Sequence, residues 1–136
     1  MSQDIMSYFE NDRFAAYVGI KLVEVKPGYA KAVMEVKEKH LNALNIVQGG
    51  VLFTLADFAF AAASNCYGQV SLGINANISY FESPKGKILV AEAKEISANK
   101  KIASYNVDIC GEDKVLVARF TGMAYRKKDK LNLSQS

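Results

Sequence analysis

Residues 48–65 read QGGVLFTLADFAFAAASN, and the reading of that stretch decides the fold. It is rich in Ala, Leu and Phe, and its one charged residue is Asp57. A helix that is apolar on nearly every side belongs inside a core. Gly49-Gly50 opens it, and Asn65 with Gly68 closes it.

On either side the hydrophobic period falls to two. Downstream, strands are expected near Val70–Phe81, Lys87–Ser97, Lys101–Cys110 and Val115–Arg126. Ser83-Pro84-Lys85-Gly86, Ala98-Asn99-Lys100 and Gly111-Glu112-Asp113 separate them as turns. Upstream, Lys21–Val25 and Tyr29–Val36 alternate around Pro27-Gly28 as a hairpin, with Ala30, Ala32, Met34 and Val36 on one face. Before it, Gln3–Tyr17 is expected to form an amphipathic helix with Ile5, Tyr8, Phe9 and Ala16 inward, ended by Gly19. Short turns between consecutive strands imply antiparallel pairing. Antiparallel strands beside one helix that water cannot touch are accommodated by a sheet curled around that helix. This is the α+β hotdog architecture, expected as a single domain over 1–136 with a flexible tail at about 127–136.

The bulk numbers exclude several classes. At 136 residues, half of them hydrophobic and 23% charged, the chain can bury a core without staples. A net charge of +3 without a basic stripe interleaved with aromatics does not point to nucleic acid. Cys66 and Cys110 stand alone, which points away from zinc and from a disulfide framework and suits a cytoplasmic location. The polar, acidic start is no secretory signal. The run Val51–Ala63, broken by Thr54 and Asp57, is too short to span a bilayer, which needs ~20 apolar residues.

Asp57 is costly where it stands. Its neighbours one turn away are Phe53, Thr54, Phe60 and Ala61, and no Lys or Arg lies between Lys39 and Lys85. An ionised carboxylate in such a setting is penalised unless paired or hydrogen-bonded. A strained acid of this kind is a candidate general base or nucleophile. The competing reading is a carboxylate at a subunit seam, satisfied by backbone donors or water. Gly49-Gly50 offers a second component: open N–H groups at the positive end of a helix, where an oxyanion is stabilised. The plainer alternative is a glycine pair that merely allows a tight turn. Gly49 and Asp57 are eight residues apart, or ~12 Å along one helix. One reacting carbonyl cannot touch both, since attack needs contact at about 3 Å. If both serve one reaction they come from different chains, which implies a two-fold dimer with two equivalent sites.

With these residues in view, HLNALNIVQGGVLFTLADFAFAAASN (residues 40–65) resembles the hotdog thioesterases of the PaaI type, the 4-hydroxybenzoyl-CoA thioesterase superfamily. Asn42, Gly49, Gly50 and Asp57 match the family pattern in order and spacing, and NISYFESPKGK is similar to its following strand and turn. The likeness runs from about Ala15 to Tyr125. It implies an acyl-CoA substrate, no cofactor or metal, and a homo-oligomer, a dimer or a dimer of dimers. It also implies roles: Asp57 attacks the thioester or activates water, the Gly49 N–H polarises the carbonyl, and Asn42 positions substrate or water. Gln48 replaces the family's usual His. It keeps an N–H donor but cannot become cationic.

Two rival functions remain at this stage. His40, the only histidine, could pair with Asp57 in a 3-hydroxyacyl-CoA dehydratase. With Gln48 in place of His, the chain could also be an acyl-CoA-binding module without turnover. On the strand after the helix, Asn75, Asn77 and Tyr80 are candidates to line the acyl pocket, with exposure to solvent as the alternative. Lys85 and Lys100, beside Lys87 and Lys101 at turns, are candidates to meet the phosphates of CoA.

Overall fold

A computed structural model describes residues 2–133. Two short helices, α1 (Ser2–Phe9) and α2 (Arg13–Val18), precede β1 (Ile20–Lys26) and β2 (Tyr29–Glu35). A 3-10 turn at Glu38–His40 leads to the long helix α3 (Gly49–Asn65). Then follow β3 (Gln69–Tyr80), β4 (Ile88–Ala98), β5 (Ile102–Gly111) and β6 (Leu116–Lys130). All pairings are antiparallel, in the order β1-β2-β4-β5-β6-β3. Helix α3 packs against all six strands, the hotdog arrangement expected from its apolar composition.

The concave face of the sheet shows how the helix fits so closely. Ala30 and Ala32 of β2, Ala91 and Ala93 of β4 and Ala118 and Ala124 of β6 are all fully buried there. Small side chains let α3 approach, and it answers with Leu55, Ala56, Ala59, Ala62 and Ala63. Toward β5 and β6 the gap widens and rings fill it: Phe60 meets Tyr105 and Phe120 at centroid distances of 5.7 and 5.5 Å. Asn65 pins the end of α3 to β3, donating to Ala61 O and Ser71 O and accepting from Ser71 N–H at 2.8 Å.

Three local expectations are corrected. The single N-terminal helix is two, because the Asp12 side chain accepts from Ala15 N–H at 2.9 Å and caps a new start. Ala15 rather than Ala16 is therefore the inward alanine. Gly19 does end that segment, at φ 98° with its N–H on Ala15 O and Ala16 O. Strand β6 continues through Lys127–Lys130, since Gln69 at the start of β3 pairs with Lys130. Residues 134–136 of the expected tail lie outside the described residues. Finally, α3 is not covered on every side: Gly50 and Asp57 are exposed, with Phe53, Thr54 and Ala61 half-buried between and beyond them. These residues recur at helical spacing as one uncovered stripe.

Candidate active site

The loop before α3 is built by Asn42. Its Oδ1 accepts from Leu44 N–H at 2.8 Å and its own N–H donates to Ile46 O at 2.8 Å. Asn45 turns the chain at φ 62°. Gln48 N–H is held by His40 O at 2.9 Å, so the backbone enters α3 at a fixed angle. Gln48 is the N-cap residue in extended conformation, and its side chain caps nothing. It lies instead across Gly50, where an added Cβ would stand 2.6 Å from Gln48 Oε1. Gly50 thus gives room to Gln48. Gly49 gives room to Tyr80, whose hydroxyl donates to Gly49 O at 3.0 Å and whose ring would lie 3.1 Å from a Cβ there. The glycine pair has a steric role at both positions, besides leaving the first amides of the helix open.

Of these residues Asn42, Ile46, Gly49 and Tyr80 line one cleft of about 340 Å³, and Gln48 and Gly50 lie outside its lining. Asn42, Ile46 and Gly49 form one wall, with Tyr80, Phe81 and Pro84 opposite. The sequence-selected Asn42, Gly49 and Tyr80 therefore do meet. Asp57 is not in this wall: it stands two turns further along α3, ~12 Å away by helical rise. Its carboxyl is raised above the ordinary carboxylate value, first by desolvation and second by the negative charge of Asp12. The residue is exposed in the single chain, with half-buried Phe53, Thr54 and Ala61 one helical turn before and after it. Asp12 is a contributor that sequence reading missed by running one helix through it; its sign was a helix-capping residue after Glu10-Asn11.

His40 is buried, with both ring nitrogens committed. Nδ1 accepts from Lys37 N–H at 2.9 Å, which requires the proton on Nε2, 2.6 Å from Val18 O. It ties the 3-10 turn to the end of α2. A ring held in two backbone bonds is not available to exchange protons with a substrate, which removes the pairing a dehydratase needs.

The remaining candidates are scattered. Asn75 and Asn77 pair with Met123 and Thr121, while Ala76 and Ile78 pair with Gly122 and Phe120. Opposite residues share a face. Buried Phe120 and Gly122 put Ala76, Ile78 and then Tyr80 on the helix side. Asn75 and Asn77 consequently face away from α3, the solvent-facing alternative. Lys85 precedes β4 and Lys100 follows it, so the strand's length separates them. Among the described residues, no group of three or more His, Cys, Asp or Glu side chains could hold a metal ion. Nor is any helix long and apolar enough to cross a membrane.

Comparison with known proteins places this geometry. The model of the thioesterase superfamily matches residues 44–118. The chain is 41% identical to a candidate esterase of Archaeoglobus fulgidus, over 87% of this chain and 77% of that one. It is 31% identical to the acyl-coenzyme A thioesterase PaaI of Escherichia coli, over 91% and 89% of the two chains. The solved structure of the E. coli PaaI protein superposes with a TM-score of 0.89 and 29% identity, covering 94% of each chain.

Proposed function

The chain belongs to the thioesterase superfamily, and from that membership we propose that it hydrolyses an acyl-CoA thioester to the free acid and CoA. The observation that carries the reading is the cleft where Gly49, Asn42 and Tyr80 meet at the start of α3, with Asp57 on the uncovered side of that same helix. The thioester carbonyl lies against the Gly49 N–H, at the positive end of the helix. Asn42 spends its carboxamide oxygen on the loop, which leaves its N–H₂ to orient the carbonyl or the water. Asp57 either takes a proton from water as the hydroxide adds to the carbonyl, or adds itself to give a mixed anhydride that water opens. Either way the C–S bond breaks and the departing thiolate takes a proton. Gln48 contributes an amide donor and no proton.

The two components lie ~12 Å apart on one helix, so the second comes from another copy. The surface for that copy is β3. It is an edge strand of twelve residues, with Leu72, Ile74 and Tyr80 exposed along it. A long apolar edge of this kind is a template for pairing. Two-fold pairing of β3 with its copy sets the helices antiparallel and brings Gly49 of one chain toward Asp57 of the other.

The test is Asp57→Ala against a panel of acyl-CoA thioesters of different chain length and aromatic character. A general base or nucleophile is worth about 10²–10⁴ in kcat, so the folded variant should lose that much. Hydrolysis at the wild-type rate defeats the assignment. Tight binding by the wild type without turnover would favour the non-catalytic module instead.

A further inference from the structure

Gly49, Phe53, Asp57 and Ala61 recur at four-residue intervals and so form one ridge along α3, with Asp57 exposed and the other three half-buried. Phe53 is the bulky apolar member of that ridge. Its ring stands edge-on to Phe120 at a centroid distance of 5.4 Å, and Phe120 leans on Phe60 at 5.5 Å. Phe58, Phe60 and Phe120 are buried, and Phe53 is left half-covered. The sheet therefore holds the ring from one side and leaves a fixed apolar surface on the other. The order of residues along the ridge also decides where a two-fold axis can cross it. Such an axis sets the residue it meets against its own copy and exchanges the residues on either side. An axis at Asp57 opposes two carboxylates. An axis at Gly49 or at Ala61 keeps Gly49 of one chain away from Asp57 of the other. An axis at Phe53, midway between them, sets ring against ring and puts Gly49 opposite Asp57, where its missing side chain leaves room for a substrate.

We propose that Phe53 lies on the two-fold axis against its own copy, and that the paired rings are a shared wall limiting the bulk of the acyl group in both sites. The inference rests on the two-chain hydrolase reading above. Four residues of helix separate Phe53 from Gly49 on one side and from Asp57 on the other, about 6 Å each way. Each ring therefore borders both reaction centres, the one its own Gly49 serves and the one its own Asp57 serves. A slender acyl group passes beside the rings. An acyl group that is broad next to the thioester carbonyl presses on them, and Phe120 behind each ring keeps it from yielding. Phe53 is thus a specificity-determining residue that favours acyl groups narrow at the carbonyl.

The experiment has a geometric and a kinetic arm. Helices crossing at 8–10 Å bring facing Cα atoms within the ~7 Å that a disulfide allows. Mild oxidation should therefore join Phe53→Cys chains into a covalent dimer, seen on a gel without reductant. Ala61→Cys is the control: it lies on the same ridge, but its two copies stand roughly 24 Å apart along the helices and should stay unlinked. Wild type, with Cys66 and Cys110, should stay unlinked too. In the kinetic arm, kcat/KM is measured for acetyl-, isobutyryl- and benzoyl-CoA. Phe53→Ala should raise the value for the broadest acyl group relative to acetyl by about tenfold or more, the range for relieving one crowded methylene. Phe53→Leu, which keeps an apolar contact for Phe120, should shift the ratio the same way by less. No cross-link at 53, or an equal one at 61, overturns the inference. So does a wild-type order of preference in both Phe53 variants, and either result leaves the hydrolase reading intact. A wild type that cleaves none of the three overturns both.

Discussion

At the scale of single residues, the proposed function assigns the chemistry to Asp57 and Gly49, and each assignment can be tested against a matched control. Desolvation and Asp12 both raise the Asp57 carboxyl. The base must be ionised to act, so activity should fall with acid through a midpoint above the ordinary carboxylate value. Removing the charge at 12 lowers the Asp57 pKa, keeps the base ionised to lower pH, and so should move the acid limb of kcat/KM downward. Asp12→Asn is the right change because Asn retains an oxygen for Ala15 N–H and caps a helix as well as Asp does. An acid limb that stays put in a pH–rate profile would dissociate Asp12 from the site. For Gly49, proline and alanine separate donor from space. Proline is at home in the first helical position and demands an extended residue before it, which Gln48 already is, at φ −67° and ψ 137°. Both substitutions press on Tyr80, but only proline removes the N–H. Gly49→Pro should therefore lose about 10²–10³ in kcat relative to Gly49→Ala, the cost of one oxyanion donor. Equal activities would assign the glycine a steric role alone.

Among the elements, α3 and β3 divide the evident from the hidden. The apolar run 51–63 announced a core helix, and alternation announced the strands, because burial against a curved sheet imposes both periods. What the run concealed was its one uncovered stripe, since Phe53 and Ala61 look equally at home against a sheet or against another chain. β3 hides its geometry in a different way. Uniform alternation puts Leu72 and Tyr80 on one face, but the register shifts between Gly73 and Asn75, so residues before and after face opposite ways. No local signal except Gly73, which lies 3.1 Å from Phe60 as measured from an added Cβ, marks that bulge. The prediction at this scale concerns the edge. Leu72 and Ile74 are 53% and 54% exposed in the single chain, so charges there cost the monomer little. Leu72→Glu/Ile74→Glu should give a folded monomer without hydrolase activity, seen together by sedimentation and circular dichroism. An active monomer would refute the shared site.

For the whole molecule, the reading from sequence reached the fold, because it rests on local pattern, and it selected Asn42 and Gly49, which line one cleft. It missed what depends on distant chain segments meeting. Lys127 and Lys128 looked like the start of a flexible tail after Arg126, yet pairing with the beginning of β3 extends the strand and sets them beside Lys100 and Lys101. His40, weighed as a dehydratase partner for Asp57 against a locally bonded residue, is bonded to backbone, at Lys37 N–H and at Val18 O twenty-two residues earlier in the chain. The central claim also concerns the whole molecule: one active site draws on two chains. Subunit complementation measures it directly. Asp57→Asn chains supply a good Gly49, and Gly49→Pro chains supply a good Asp57. Unfolding and refolding the two inactive variants together should return about a quarter of wild-type activity, since half of the random dimers hold one intact site out of two. Mixed dimers that form and yet stay as inactive as either parent would contradict the account.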